Sequence, residues 1–356
     1  MKKLTKNRKK NDVGSSEAGL RGPSGKLLTK RGQGKSMTEW NHIYQDQAAS
    51  IDGKYEDAVA KIDVERKMKA KTSIQEFIKA YLIGSLFEFE PEEQMSKALD
   101  CMHKALMDSR PFNIELPRGS GKTSAAEAML LYLLSYGFRK FLVIVSNSAR
   151  NAGAILKDLY KVISDEGSAY AQDFPEVSLP FITCHGATRR RQTLRGKPVD
   201  IKSNAQEIVF PRIEDDDGNE LPTSQNVITV RGITSGIRGL KSGKLRPDAV
   251  ICDDLQDAEI ASNPSQVDKL AALINKDIMN LSSGRKLAVL MTSTPICCED
   301  LCERIEKDVS WKTIKFKAMM SWPKDIEENG DSGLWGRYFQ IYDTENMTDR
   351  DHSESL

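Results

Sequence analysis

One strand–turn–helix segment sets the strongest limit on the fold of this chain. Phe112–Leu116 is a short apolar run that predicts a buried strand, and Pro117–Gly121 follows as a glycine-bearing turn. Lys122 and Thr123 then open an apolar run of helical length. Backbone amides at a helix N-terminus, a mobile cation and a hydroxyl are the groups that hold a phosphate and its Mg²⁺. The segment therefore predicts a P-loop, with the nucleotide held by Gly119, Ser120, Gly121, Lys122, Thr123 and Ser124.

The loop departs from the usual G-x-x-x-x-G-K-[ST] pattern, because Leu116 stands where the first glycine is expected. The chain also carries a near copy of the loop, RGQGKS, at residues 31–36. No apolar strand leads into that copy, and a rigid strand and helix are needed to aim the backbone amides. We therefore interpret residues 31–36 as part of a basic arm and residues 117–123 as the nucleotide site.

The composition is that of a soluble globular protein. At 356 residues, with 39% hydrophobic and 29% charged residues, the chain is long enough for one large core and a smaller added segment. No apolar run predicts a membrane span, and the N-terminus lacks the apolar stretch of a signal peptide. The six cysteines form no CxxC pair, so we interpret them as free thiols rather than as a zinc site.

The net charge is +1, but the charges are unevenly spread. Residues 1–35 hold eleven Lys and Arg against two acids, a composition that predicts a disordered arm over residues 1–50. That arm could bind nucleic acid or a partner, or act only as a solubilising tail. A second basic cluster inside the globular region is the better candidate for contact with a phosphate backbone, with a solvated loop as the alternative. It comprises Arg189, Arg190, Arg191, Arg195 and Lys197.

Apolar periodicity predicts an α/β protein with a mainly parallel sheet flanked by helices. Helices are expected over residues 55–83, 91–109 and 150–165, and buried strands over residues 141–146, 248–254 and 286–292. The segment 181–231 has a strand-like pattern that predicts a β-rich insertion. The expected organisation is given by four ranges: a basic arm (1–50), a helical N-terminal segment (51–110), the P-loop core (111–325) and a polar tail (326–356).

The apolar run within the predicted strand 248–254 ends in paired carboxylates, Asp253 and Asp254. The carboxyl ends of parallel strands meet where open α/β folds bind their ligands. In a P-loop enzyme we expect Asp253 to hold Mg²⁺ through water and Asp254 to orient or deprotonate the attacking water. Asp257 is an alternative for that second role. Without the P-loop, acids at a strand end would indicate only an acidic turn.

Thr292, Ser293 and Thr294 end the next apolar strand, ahead of Pro295. Hydroxyls at a strand end beside the phosphates can report whether the γ-phosphate is present. The alternative is an ordinary turn that a proline terminates. Their position after the acidic strand favours the first interpretation.

Taken together, PRGSGKT, GIRGL, RPDAVICDD and TSTP resemble the ATPase domain of the large terminase subunit of tailed phages, over roughly residues 85–325. The resemblance implies an ATP- and Mg²⁺-dependent motor of the additional-strand class of P-loop ATPases, which moves double-stranded DNA into a procapsid. It implies that Arg118 is the loop arginine of the family, that Thr292–Pro295 couple hydrolysis to DNA movement, and that Arg238 reaches a nucleotide. The alternative for Arg238 is that it binds a carboxylate and holds its loop.

The resemblance also implies partners and a location. These are a portal protein, a small terminase subunit and further copies of the chain in a ring, in the host cytoplasm and transiently at the portal. Large terminases usually carry a C-terminal nuclease, whereas only about 30 residues follow Pro323 here. We therefore expect no nuclease activity from this chain, and a separately encoded nuclease is a further candidate partner. Two alternative functions are a helicase-like DNA-dependent ATPase in repair or defence and an inactive P-loop scaffold that binds DNA or a partner.

Overall fold

The computed structural model describes residues 50–186, 192–282, 287–317 and 333–338. Its helices between residues 50 and 307, in chain order, are α1 (Ser50–Val59), α2 (Val64–Thr72), α3 (Ile74–Tyr81), α4 (Glu93–Asp108), α5 (Lys122–Ser135), α6 (Ala149–Ser164), α7 (Ala169–Asp173), α8 (Pro175–Cys184), α9 (Ala258–Ala261), α10 (Pro264–Leu273) and α11 (Leu301–Lys307). Residues 334–338 are also helical. A π-helical turn, Ile274–Ile278, continues α10. The predicted helix over residues 55–83 is three helices, because Asp63 and Ser73 cap new helix N-termini.

The strands are β1 (Pro111–Glu115), β2 (Phe141–Ser146), β3 (Thr193–Leu194), β4 (Lys197–Pro198), β5 (Lys202–Ser203), β6 (Glu207–Val209), β7 (Val227–Gly232), β8 (Ala249–Asp253), β9 (Ala288–Ser293) and β10 (Lys312–Lys315). Eight of them form one sheet in the order β10-β1-β9-β8-β2-β7-β6-β5. The strands from β10 to β7 pair in parallel, and β6 and β5 extend that edge antiparallel. The predicted fold class is confirmed.

The order of the central strands brings the predicted motifs to one edge. Strand β9 stands between β1, which leads into the P-loop, and β8, which carries the acids. This is the additional strand that the sequence interpretation requires. The register pairs Glu115 with Ser293 and Asp253 with Thr292, so the ends of the three strands are level. Because all three run in the same direction, their carboxyl ends form a continuous binding edge.

Helices cover both faces of the sheet, each over its own hydrophobic core. Helix α5 is buried along almost its whole length in the first core, together with the helices of the N-terminal segment. Helices α10 and α11 and the π-helical turn pack on the opposite face, in the second core. An acid–base contact fastens the N-terminal segment to the first core, since the Arg66 guanidinium binds the buried Asp173 carboxylate at 2.7 Å.

The strand-like pattern predicted over residues 181–231 is wrong at its start, where the structure has a helix, and is confirmed at its end. Residues 181–184 complete helix α8, because Val177, Phe181 and Cys184 follow helical spacing and are buried in the first core. Residues 227–232 form β7, which pairs in parallel with β2 as part of the main sheet. Of the described residues between them, those in strands form the short β3–β6. The assignment of these residues to an insertion, like the other domain boundaries, stays a prediction.

Candidate nucleotide site

The P-loop begins at Pro117, because Leu116 still belongs to the sheet. The Leu116 amide donates to the Ser293 carbonyl at 3.0 Å, and its side chain is buried. This explains why a leucine is tolerated where the usual pattern has glycine. Gly119 (φ 77°) and Gly121 (φ 83°) take left-handed backbone conformations that favour glycine, and Gly121 is the N-cap of α5. The loop thus turns sharply and leads directly into the helix N-terminus.

Lys122 is folded back over the loop that precedes it. Its Nζ donates to the Pro117 carbonyl at 3.2 Å and lies 3.8 Å from Asp254 Oδ2, and the side chain is only 6% exposed. A lysine in this position is a mobile cation that can exchange these two contacts for phosphate oxygens. The phosphate-binding role of Lys122 stays a prediction. Arg118, from the same loop, lines the adjoining cleft.

Asp253 joins the P-loop helix to the neighbouring strand. Its Oδ2 accepts from the Thr123 hydroxyl at 2.9 Å, and its Oδ1 accepts from the Thr292 hydroxyl at 2.8 Å. Burial raises the pKa of Asp253, while the bonds from Thr292 and Thr123 act in the opposite direction. Mg²⁺ is usually held by one or two protein oxygens together with phosphates and waters. The hydroxyl of Thr123 and the carboxylate of Asp253, already within hydrogen-bonding distance, fit that requirement.

Asp254 follows in a strained conformation, with φ at 41°, and its side chain is 47% exposed. Its amide donates to the Thr292 carbonyl at 3.1 Å, which fixes the turn. Burial raises the pKa of Asp254, and the Lys122 ammonium opposes that rise. Asp257 differs because its carboxylate caps α9 by accepting from the Ile260 amide at 2.9 Å. Of the two acids, Asp254 is the one whose carboxylate lies beside the P-loop lysine.

The three hydroxyl residues at the end of β9 have different partners. Thr292 binds Asp253, as described above. The buried Ser293 hydroxyl donates to Asn113 Oδ1 on β1 at 2.7 Å, which links the two strands through their side chains. Thr294 hydrogen-bonds Asp254 and lowers its pKa. All three therefore lie against the P-loop strand or the acidic pair, as their sequence position predicts.

These elements surround a cleft of about 400 Å³. Its lining includes P-loop, acidic and β9 residues, namely Arg118, Thr123, Asp253, Asp254, Asp257 and Thr294. It also includes three residues that the sequence analysis missed, Asn147, Asn151 and Glu127. The signal for Asn147 was its place just after the apolar strand β2, at the same sheet edge. Asn151 donates to Asn147 Oδ1 at 2.8 Å, so the two amides hold each other.

Glu127 is the one acidic residue of α5, and it is 5% exposed. It lies one helical turn beyond Thr123, so both side chains face the cleft. Burial raises the pKa of Glu127 to about 8, and the neighbouring charges of Asp158 and Asp253 add to this rise. A single acid inside an otherwise apolar helix was the sequence signal that could have revealed this residue.

Two groups of predicted residues stand apart from the cleft. Arg238 does not line it; its guanidinium binds Asp277 at 2.7 Å and is 73% exposed. This is the carboxylate-binding alternative, although the exposure leaves the side chain accessible to a neighbouring copy. Of the predicted DNA contacts, Arg189, Arg190 and Arg191 lie outside the described residues, as does the near copy of the loop. Arg195 and Lys197 form ion pairs with Asp216 and Glu214, respectively.

Within the described ranges, no group of three or more His, Cys, Asp and Glu side chains is arranged to hold a metal ion. A Mg²⁺ ion would instead depend on the phosphates as well as on Thr123 and Asp253. No helix among the described residues is both long and apolar enough to span a membrane.

No family model matches the chain, and no curated protein matches its sequence. Among solved structures, the ATPase domain of the Thermus phage P74-26 large terminase matches at 14% identity and a TM-score of 0.37, over 67% of this chain and 90% of that one. The HK97 bacteriophage large terminase matches at 14% identity and a TM-score of 0.39, over 73% of this chain and 46% of that one. A SWI2/SNF2 ATPase core from Sulfolobus solfataricus, in complex with double-stranded DNA, matches at 13% identity and a TM-score of 0.29, over 65% and 36%.

Structural neighbours of the chain thus include phage large-terminase ATPase domains, and the chain spans less than half of the HK97 large terminase. The likenesses concern the fold. What the site does follows from the geometry of its own residues.

The protonation of Glu127 gives a testable pH dependence of stability. Without metal and nucleotide, folded Glu127 keeps its proton between about pH 4.5 and pH 8, whereas the unfolded chain has released it. Its contribution to the free energy of unfolding is therefore fully present below this interval and is lost as the pH rises through it, by up to about 1.4 kcal/mol per pH unit. We expect Glu127→Gln to flatten the pH dependence measured by denaturant unfolding. Glu56→Gln, an exposed acid on α1, should leave it unchanged, and parallel curves for wild type and Glu127→Gln would contradict the assignment.

Proposed function

We propose that the protein is a P-loop ATPase. The observation that carries this proposal is the position of Asp253, whose two oxygens bind the first hydroxyl after the P-loop lysine and the Thr292 hydroxyl of β9. A triphosphate at the N-terminus of α5 would meet the helix amides, the Lys122 ammonium and the Thr123 hydroxyl together. Lys122 would then bind the β- and γ-phosphates, and Mg²⁺ would be held by Thr123 and, through water, by Asp253. The metal supplies positive charge to the phosphate oxygens when bound.

The two acids, Asp253 and Asp254, have different roles in this proposal. Asp253 is fully engaged by hydroxyl donors, whereas Asp254 projects into the cleft on a strained turn. We assign to Asp254 the attacking water, which it orients or deprotonates. Arg118 lines the same cleft and is placed to contribute positive charge to the transferring phosphate. Thr294 contacts Asp254, so the end of β9 is placed to respond when that acid changes partners.

We further propose that ATP hydrolysis drives movement of double-stranded DNA, as in a phage packaging motor. The support is the ordered set of motifs that resembles large terminases, together with the convergence of the P-loop, the acidic pair and Thr292–Thr294 at one sheet edge. The partners of such a motor are double-stranded DNA, a portal protein, a small terminase subunit and further copies of this chain in a ring. The test is ATP hydrolysis by purified protein, with and without linear duplex DNA and a portal. Stimulation of ATP hydrolysis by both the DNA and the portal supports the packaging motor. An ATP hydrolysis rate that neither of them changes contradicts it.

Lys122→Ala should reduce ATP turnover by roughly 100-fold or more while the circular dichroism spectrum and unfolding midpoint are retained. The reason is that the variant loses the cation nearest the transferred phosphate, and no other lysine of the described residues lies in the loop. Steady-state phosphate release measures the effect. Lys35→Ala, in the near copy of the loop, is the matched control and should hydrolyse ATP normally. A normal rate in Lys122→Ala, or an inactive Lys35→Ala, would place the nucleotide elsewhere.

The exposed Arg238 can be tested for action on a neighbouring subunit. An arginine delivered to an adjacent site typically contributes ~10³-fold or more to hydrolysis. If Arg238 acts in this way, mixing Arg238→Ala protein with Lys122→Ala protein under ring-forming conditions should recover part of the ATPase activity. Recovery occurs because some interfaces then combine an intact arginine with an intact P-loop. Full DNA-stimulated turnover by Arg238→Ala alone would leave Arg238 as a residue that only holds its loop through Asp277.

A further inference from the structure

The segment between β7 and β8 carries positive charges that the fold does not neutralise. Lys241, Lys244 and Arg246 are all exposed, and none has an ion-pair partner among the residues that the structure describes. This differs from Arg195 and Lys197, which are paired with acids. From Ile233 to Pro247 the sequence contains no Asp or Glu. We call residues 241–246, which carry these three cations, the basic hairpin.

The basic hairpin has a defined backbone. Ser242 and Leu245 exchange two hydrogen bonds, of 3.1 Å from the Ser242 amide and 2.8 Å from the Leu245 amide. Gly243, between them, has a φ of 55° and no atom within 4 Å of the position where a Cβ would lie. The turn therefore needs glycine for its backbone conformation and leaves space around its tip. Lys244 is held at that tip rather than on an unstructured loop.

Apolar and polar contacts hold the base of the hairpin on the protein. Leu240 and Leu245 pack against the second hydrophobic core, and the Arg246 guanidinium donates to the Leu240 carbonyl at 3.2 Å. Just before the hairpin, Arg238 binds Asp277 on the π-helical turn. Asp248, the first acid after it, points away, since it accepts from the amides of residues 140 and 141. The cations are thus displayed on an ordered platform, which reduces the entropy lost when they bind a partner.

The side chains on the surface of the basic hairpin indicate which kind of partner it binds. None of the large apolar side chains of residues 233–247 is exposed, so the hairpin offers no apolar centre for a protein interface. A surface of lysine and arginine without apolar residues suits a row of phosphates, which it can bind without reading base sequence. The basic hairpin lies just before Ala249, the first residue of β8, and so at the amino ends of the parallel strands, away from the nucleotide edge. We propose that the basic hairpin binds the phosphate backbone of double-stranded DNA.

This inference rests on the proposed DNA-moving function and names the surface that such a function needs. The test is the affinity of the full chain for a short duplex, measured by fluorescence anisotropy over a series of salt concentrations. The triple variant Lys241→Gln, Lys244→Gln and Arg246→Gln should bind more weakly, by roughly tenfold per lost phosphate contact at about 0.1 M monovalent salt. The slope of log affinity against log salt should become shallower by about 0.9 per contact.

A second triple variant, Lys54→Gln, Lys61→Gln and Lys104→Gln, is the matched control. These lysines are exposed, have no ion-pair partner among the described residues and change the net charge by the same amount. Equal affinities and slopes for the two variants would overturn the proposal. Unchanged DNA binding together with weaker attachment to a portal would assign the hairpin to a protein partner and overturn it as well.

Measurements of ATP hydrolysis distinguish a failure of this proposal from a failure of the ATPase proposal. The basic-hairpin variant should hydrolyse ATP without DNA at the wild-type rate, because no hairpin residue lines the nucleotide cleft. Wild-type protein that binds DNA through the hairpin but does not hydrolyse ATP would contradict the ATPase proposal and leave the DNA surface standing. Wild-type ATPase activity with no hairpin-dependent DNA binding would contradict the DNA surface and leave the ATPase proposal standing.

Discussion

The carboxylate of Asp253 is the contact on which the rest of the site depends. It is 3% exposed, and its two oxygens accept hydrogen bonds from the Thr123 hydroxyl on α5 and the Thr292 hydroxyl on β9. A buried carboxylate is costly unless its oxygens are satisfied, so these two bonds stabilise the ends of three elements in one arrangement. The arrangement is possible because β9 lies between β1 and β8 and because Asp253 and Thr292 share one register position. A shift of one residue would turn the carboxylate to the other face of the sheet.

A second set of polar contacts extends from this edge to the opposite face. Gln256, two residues beyond the acidic pair, donates to Asp300 Oδ2 at 2.9 Å and accepts from the Leu301 amide at 2.9 Å. Asp300 also accepts from the Ile296 amide at 2.8 Å, which holds the segment after Thr294. The acidic turn, the end of β9 and the start of α11 are therefore connected by buried hydrogen bonds. These bonds fix the three segments relative to one another.

Most of the local structure was predictable because it follows from short-range patterns. The strand–turn–helix around Lys122 and the apolar strands β2, β8 and β9 carry their signals within a few residues. The strand prediction was wrong where tertiary packing decided the outcome, since residues 181–184 continue a helix that starts at Pro175. The strand at residues 227–232 was predicted, but not its parallel pairing with β2 in the central sheet. Strand β10, with the sequence KTIK, was not predicted because its half-polar pattern is common in loops.

The site was predictable in its motifs but not in its contacts. Sequence order indicated that Lys122, Asp253 and Thr292 meet at one sheet edge, since parallel strands end there. It did not indicate that Glu127 faces the cleft, because that depends on the side of the helix that packing selects. Nor could it show that Arg238 binds Asp277, because the two residues are 39 positions apart in the chain.

The most direct test of the account is the effect of Mg²⁺ on nucleotide binding, measured by calorimetry with a non-hydrolysable ATP analogue. In wild-type protein Mg²⁺ should strengthen binding, and in Asp253→Asn that gain should disappear while metal-free binding and the unfolding midpoint are retained. Asp257→Asn removes a carboxylate from the same cleft and should keep the gain, because Asp257 caps a helix instead of facing Thr123. An undiminished Mg²⁺ effect in Asp253→Asn would contradict the account.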